Sequence, residues 1–532
     1  MKKNLSALGL LWIAFTSMIG SGWLFGALYS AHFAGPAAIL AWPIAGILLI
    51  LVALSFAEIS TMFPDNNSLV LLPLYTHGHL TSVIMSCLAW ISLATIPVIE
   101  TQGVVQYASN YIPQVMIQHG THYVFTPRGY CIAFILLASF VLLNYFGIRL
   151  FARINAGFTI WKILIPIITV FALFEAGFHK NNFFSYGGFM PYGWHGIMTA
   201  MSSGGVLFSL LGFRQVIILM NETDNPQKTV PRVLLISLVL TTFIYTALQW
   251  VFIGSMRHED LLKGWANLTF PGDAGPFAAL ATIAGMLWLS SILYIDAFIS
   301  PYSTGLVYST TSAQTLTSMG KIGDAPKIFT YLNKFQVPHI SLFVNFMLGA
   351  LLFLLLRGWQ EMAAFSVATV MLTYAVGPIC LMCLRYQLPN YPRPFRVSYG
   401  TFVAFLGFYI CTAGVYWSGL HSVIRLFVLI MLGILFYFFY YQFFSENKKI
   451  LNGKNALWVF IYLFALTIFS ICGNYGGKHF IPTYWDMLFL MGLCVIIFML
   501  AYYAKMPREY TQQICQKTTV CVSIRDKPME TV

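Results

Sequence analysis

Apolar runs of about twenty residues recur along the whole chain, and nothing else in it limits the fold so strongly. Fourteen can be marked, at residues 5–32, 38–63, 81–112, 129–148, 152–175, 195–219, 232–255, 275–305, 338–356, 362–384, 400–420, 423–444, 457–473 and 485–504. Coiled as an α-helix, each is long enough to cross the hydrocarbon core of a bilayer. The charge content agrees: 9% of the 532 residues are Asp, Glu, Lys or Arg, against about 25% in soluble domains. A β-barrel would instead show short alternating segments. The expected class is an all-α integral membrane protein with about fourteen transmembrane helices.

The first run begins like a secretory signal, with a Lys pair and an apolar stretch, but it continues to Phe33 and reads as a retained helix. The net charge of +12 does not mark a nucleic-acid partner, because the basic residues are sorted by side. With the N-terminus inside, 20 of the 29 Lys and Arg are cytoplasmic, among them Lys228, Arg385 and Arg393, and seven are external, among them Arg128, Arg257 and Arg425. That is the positive-inside pattern. It predicts cytoplasmic N- and C-termini and a multi-pass protein of the inner (plasma) membrane, with the lipid bilayer as partner. The nine Cys form no external disulfide framework, and Cys380 and Cys383 read as packing residues of an apolar helix. No cofactor or metal is expected. His77 and His79 read as part of a loop before the third span, and the polar tail at 505–532 as flexible.

Two of the runs are interrupted by small residues. Gly20-Ser21-Gly22 breaks span 1, and "MSSGGVLFSLLGF", Met201 to Phe213, breaks span 6. Five spans separate them, so the broken helices cross in opposite directions, as in an inverted repeat of spans 1–5 against 6–10 with a substrate held between. Backbone freed from the helix ladder at mid-membrane is tolerated where it lines a cavity or is buried in protein. The free amides of a half-helix attract a carboxylate. The free carbonyls of the preceding half attract an ammonium, so one break can hold both ends of an α-amino acid.

Four stretches resemble the amino acid–polyamine–organocation superfamily of secondary transporters, and within it the bacterial aspartate–proton symporters. They are "MIGSGWLFG" in helix 1, "FAEISTMFPDNNS" closing helix 2, "INAGFTIWKILIP" in helix 5, and "FSLLGFRQVIILMNETDNPQKTVPR" through helix 6 and its exit, with Glu222, Asn225, Pro226 and Pro231. The resemblance covers spans 1–12 and implies the LeuT-like five-plus-five fold with broken helices 1 and 6. Residues 1–444 are then the transporter core, 457–504 two additional helices, and 505–532 a cytoplasmic tail. The chain departs from the family pattern at Asn66-Asn67-Ser68, at Arg214, where many members carry an acid, and at Gln314.

A charge at mid-span costs about 2.5–3.5 kcal/mol even on insertion scales and so calls for a function. Lys162 lies deep in helix 5; a desolvated amine is a group that can shed and regain a proton. The resemblance implies a helix 5 lysine in the place of a sodium ion, and Lys162 is the expected proton-coupling group. Arg214, with its planar fork, suits a substrate carboxylate or an internal acid. Glu100 and Asp296 are expected as relays or charge partners, and Glu58 as part of a gate. Ile19, Gly20, Ser21 and Gly22 with Phe208, Ser209, Leu210 and Gly212 are the expected substrate-binding residues. Phe208 also takes the family's gate position, and Trp23 and Phe213 are candidate caps.

The expected function is proton-coupled symport of an amino acid, acidic by preference, by alternating access. An exchanger, or a permease for a neutral or cationic amino acid or a polyamine, would use the same site. An enzyme is disfavoured, since the chain has no HExxH motif, and ATP-driven transport by the absence of GxxxxGK[ST]. A channel would need a continuous pore rather than two offset breaks.

Overall fold

The computed structural model describes residues 6–63, 68–119, 122–146, 148–220, 223, 225–443 and 451–525. Pro64, Asn66, Asn67 and Glu222, which belong to the stretches quoted above, lie outside them, as do residues 526–532 of the tail. The chain is almost wholly helical. It opens with α1 (Ala7–Met18), α2 (Ser21–Ala34), α3 (Ala38–Met62), α4 (Ser68–His77), α5 (His79–Ala108), α6 (Pro127–Tyr145) and α7 (Ile148–Ala176). Then come α8 (Gly193–Ser202), α9 (Val206–Leu210), α10 (Arg214–Ile218), α11 (Pro226–Gly254), α12 (His258–Leu261), α13 (Pro276–Ile283) and α14 (Leu287–Ile322). It ends with α15 (His339–Leu355), α16 (Gly358–Gln387), α17 (Gly400–Trp417), α18 (Leu420–Phe443), α19 (Gly453–Cys472), α20 (Trp485–Tyr503) and α21 (Arg508–Arg525). Among the described residues, 10 helices are long and apolar enough to cross a membrane, or 11 when the bent pair of helices at 193–202 and 206–218 counts as one.

Local chemistry sets most boundaries. Ser6 caps α1 by accepting from Gly9 N at 3.1 Å, and Thr126 caps α6 in the same way from Gly129 N. Pro127 and Pro226 stand in the first turns of α6 and α11, where a missing N–H costs nothing. One expected span divides: the run at 275–305 is α13 and the start of α14, separated at Gly285, whose φ of +75° an L side chain rarely adopts.

The core forms around α5, α16 and the inner half of α14, buried along most of their length, with α3, α11 and the two broken helices packed around them. The outer helices α18, α19 and α20 present Leu435, Phe436, Phe464, Leu488 and Ile496 outward, each more than half exposed. A belt of large apolar side chains on the outside is what a lipid-facing surface requires. On the face opposite the Lys/Arg-rich one, strands β1 (Met116–His119) and β2 (His122–Phe125) pair antiparallel with Met116 opposite Phe125, and Tyr123 hydrogen-bonds Asp273.

Two expectations fail on the basic face. His77 is not in a loop: it closes α4, buried, with Nδ1 at 2.9 Å from Thr76 Oγ1 and Nε2 at 2.9 Å from Ala501 O. His79 instead faces Asp324 at 3.6 Å, so the two imidazoles serve different contacts. Nor is the described part of the tail loose. Met506 N donates to Thr76 O at 2.8 Å, Gln387 Nε2 to Met506 O at 2.8 Å, and Thr511 Oγ1 to Tyr75 O at 2.9 Å. Met506 and Thr511, before and within α21, satisfy carbonyls that end α4, which is why a polar sequence is ordered there. Cys380 and Cys383 lie beside Thr76 and His77, a packing role as expected.

Close packing of the broken helices is testable at Gly212, where an added Cβ would lie 2.5 Å from the Ser17 carbonyl oxygen. Gly212→Ala is expected to destabilise the protein by about 1–3 kcal/mol, read as a depressed thermal midpoint in detergent. At Gly492 nothing lies within 4 Å of the added Cβ, so Gly492→Ala should leave the midpoint unchanged or raise it.

Candidate functional site

Helix 1 comes apart at Ile19 and Gly20, between α1 and α2, with Gly20 at φ −124°, ψ −141°. Every freed backbone group named here finds a side-chain partner, as a dry interior demands. Thr16 O accepts from Lys162 Nζ at 2.7 Å and from Thr304 Oγ1 at 3.0 Å. Met18 O accepts from Tyr245 Oη at 2.8 Å, and Ile19 O from Thr304 Oγ1 at 3.3 Å. At the amide end, Ser21 N donates to Glu100 Oε2 at 2.6 Å, and Ser21 Oγ accepts from Trp359 Nε1 at 2.9 Å. The break thus carries a cation on its carbonyl end and a carboxylate on its amide end, matching the dipoles of the two half-helices.

The glycines make that arrangement possible. A Cβ at position 20 would stand 2.5 Å from Glu100 Oε1, and one at position 22 would collide with Ser209 Oγ. In helix 6 the unwinding falls within the expected stretch, at Ser203–Gly205 near its start, where Gly205 has φ +85°. Phe208, Ser209 and Leu210 belong to the single turn α9, and Gly212 to the tight turn before α10. The freed Leu211 carbonyl accepts from Tyr374 Oη at 2.6 Å.

Between the breaks lies a small cavity bounded by Met18, Glu100, Phe208, Leu211, Arg214 and Tyr308, with room for roughly one water. Arg214 is buried. Its Nη1 donates to Ser92 Oγ at 2.8 Å and its Nη2 to Ser92 O at 3.0 Å, and its guanidinium lies 5.5 Å from the centre of the Tyr308 ring. It makes no ion pair among the described residues, and its Nε has no hydrogen-bond partner there. Of the two partners expected for Arg214, a substrate carboxylate or an internal acid, no acid is in contact with it among the described residues.

Lys162, fully buried, also reaches Thr304 Oγ1 at 2.8 Å and Ser303 Oγ at 3.4 Å, and Glu100 and Asp296 act on it electrostatically. Asp296 sits two helical turns from Thr304 on α14. Ser300 Oγ donates to its Oδ1 at 2.7 Å, and its Oδ2 has no partner within hydrogen-bonding distance among the described residues. Trp23 packs on Phe277 at 5.6 Å between ring centres, and Phe213 on Tyr374 at 5.0 Å, so neither ring borders the cavity.

Aromatic rings close the side away from the basic face. Phe208 meets Trp359 edge-on at 5.7 Å, and Trp359 stacks on Tyr29 at 5.5 Å with 9° between planes. On the basic face, buried Glu58 accepts from Arg385 at 3.0 and 2.6 Å and from Val397 N at 2.8 Å, with Arg393 at 3.4 Å. Thr304, Ser303, Ser92, Tyr374 and Trp359 were not singled out from sequence. The Ser/Thr-rich run "SPYSTG" on an intramembrane helix is a signal for the first two; Trp359 has none, because it is one of 13 tryptophans.

Comparison with known proteins agrees with this architecture. The model of the amino acid permease family matches residues 5–437. The chain is 33% identical over 518 residues to the glutamate/serine transporter AimA of Bacillus subtilis (strain 168), covering 96% of this chain and 95% of that one. It is 29% identical over 511 residues to the aspartate–proton symporter of the same organism, covering 95% and 97%. Among solved structures it is similar to Mhp1, a nucleobase-cation-symport-1 family transporter in a closed conformation, with a TM-score of 0.51 and 15% identity over 85% of this chain and 96% of that one. That likeness bears on the fold alone, which is LeuT-like. The chain is a multi-pass membrane transporter and not an enzyme, and it belongs to the amino acid permease family of the amino acid–polyamine–organocation superfamily.

Proposed function

We propose that this protein imports an acidic amino acid, aspartate or glutamate, together with a proton, by alternating access around the two breaks. The observation that carries the reading is Arg214: a guanidinium bordering the cavity, buried, in no ion pair among the described residues although Glu100 lines the same cavity, and keeping its Nε–H unused. A buried cation without an acid is costly unless a ligand supplies the anion. In this reading Ile19, Gly20, Ser21 and Gly22 hold the substrate's backbone with Ser209, Leu210 and Gly212, and Phe208 with Trp359 covers it. Lys162 carries the coupled proton, and Glu58 with Arg385 forms the gate on the basic face, which is the cytoplasmic one. The printed names of the two relatives, glutamate/serine and aspartate–proton, support an acidic substrate and proton coupling, and the first adds a neutral amino acid as a second substrate to try.

The test is uptake of labelled L-aspartate and L-serine by liposomes holding the purified protein, in sodium-free buffer, with and without an inward proton gradient. Gradient-driven accumulation of aspartate above that of empty liposomes is the expected result; uptake indifferent to the gradient would replace symport by uncoupled permeation, and uptake only with a preloaded amino acid would replace it by exchange.

Two substitutions divide the roles. Lys162→Ala should abolish accumulation driven by the gradient while aspartate binding persists, and unchanged accumulation would remove Lys162 from the coupling step. Arg214→Ala removes hydrogen bonds to a charged group, about 1.5–3 kcal/mol, or roughly a ten- to hundredfold loss of aspartate affinity. Serine affinity should fall far less; equal losses would make Arg214 a structural residue.

A further inference from the structure

The carboxylate of Glu100 lies where the carboxylate of a bound amino acid would lie. It holds the first amide of α2, Ser21 N, at 2.6 Å, where unpaired N–H groups and the helix dipole favour an anion. The position is built for it. Gly20 leaves the space, Glu100 is 1% exposed, and the side chain arrives from α5, 79 residues away in sequence. On the other end of the same unwound segment Lys162 Nζ holds Thr16 O at 2.7 Å. A tethered carboxylate and a tethered ammonium therefore occupy the two ends of one break, as the two ends of a zwitterionic amino acid would.

We propose that Glu100 is a tethered competitor for the substrate's α-carboxylate, and that one proton taken up by Glu100 hands the Ser21 amide to the incoming amino acid. The inference deepens, and rests on, the transport reading of this site. In the step, the Glu100 carboxylate gains a proton and becomes a neutral acid. A neutral acid is a weaker acceptor than a carboxylate, so the Ser21 N–H passes to the substrate carboxylate. When substrate leaves, Glu100 gives up the proton and takes the amide back. No covalent bond other than the O–H changes, and the number of negative charges at the break is the same before and after. The titratable and charged groups around Glu100 are Lys162 from α7, Arg214 from α10, Tyr245 from α11, and Asp296 and Tyr308 from α14.

The experiment measures binding of L-serine and L-aspartate to the full-length protein in nanodiscs across about pH 5 to 8, for the wild type and for Glu100→Gln. Substrate binds the protonated form, so wild-type affinity should fall as pH rises past the point where Glu100 ionises, by up to about tenfold per pH unit. Glu100→Gln should bind more tightly than wild type at the high end and vary less steeply with pH than wild type by at least about threefold over the range, the remaining slope being that of Lys162. Both amino acids should behave alike, because they share the α-carboxylate; loss of the aspartate preference would sink the acidic-substrate reading and leave this one standing. A wild-type slope that survives undiminished in Glu100→Gln belongs wholly to Lys162 or Asp296 and overturns the assignment. Weaker binding at every pH would do so too, since Glu100 would then be holding the substrate's ammonium.

Absence of binding by the wild type to either amino acid at any pH would overturn the competition. A second measurement reads the Glu100 tie itself: amide hydrogen exchange in the segment 16–26 should be faster in Glu100→Gln than in wild type, and intermediate in Glu100→Asp, whose carboxylate is one methylene short. Equal exchange in all three would overturn the tie, and Glu100→Asp serves for binding as well if the Gln variant fails to fold.

Discussion

The unwound segment at Ile19 and Gly20 is the constraint from which the rest of the structure follows. Two residues outside the helix ladder leave carbonyls and amides that a bilayer interior cannot satisfy, and each such group left alone would cost several kcal/mol. The chain brings Lys162 from α7, Thr304 from α14, Tyr245 from α11, Glu100 from α5 and Trp359 from α16 to that one place. Five helices are thereby fixed in rotation and depth by a single break. The deep burial of α5, α14 and α16 is the packing consequence of this convergence, because side chains with polar ends must be threaded through an apolar core to reach it.

The charges inside the membrane are arranged by the same logic. Lys162 and Glu100 do not form a contact ion pair; each is spent on one end of a helix dipole. Such placement stabilises the charges without neutralising them directly, an arrangement on which the proposed exchange with a like-charged ligand rests. Arg214 differs in kind. It is held by a serine and an aromatic face, partners that position a guanidinium without saturating it. The salt bridge of Glu58 with Arg385 belongs to a third class, a buried acid clamped by two arginines and an amide on the basic face.

Much of this was legible in the sequence. The apolar runs marked most helices to within a few residues, and Gly20-Ser21-Gly22 marked the break itself, since glycine there answers a steric need visible in composition. Lys162, Glu100 and Asp296 announced themselves by being charged in apolar surroundings. Their pairing was not legible, because contacts between residues 79 or 146 positions apart depend on packing angles that no local pattern encodes. The break in helix 6 lies within the stretch that the small residues mark, but which of its glycines unwinds the chain was not legible: the Gly204-Gly205 pair does so, whereas the region around Gly212 is a tight helical turn against Ser17. The tail was misread because its order comes from the carbonyls ending α4, a demand located some 430 residues earlier in the chain.

The crowding around the glycines has a consequence for how such a chain diversifies. Positions 20, 22 and 212 cannot accept even a methyl group without displacing Glu100, Ser209 or the Ser17 backbone. The half of the cavity made by the two broken helices is thus sterically closed to larger residues at these positions, and in the transport reading proposed above it is a backbone socket for what all amino acids share. Any change in which side chain is preferred has to be written from the surrounding helices, at positions such as Ile96, Arg214, Tyr308 and Val370. In that reading, recognition is divided between a sterically fixed grammar in the main chain and a small editable vocabulary in the side chains around it.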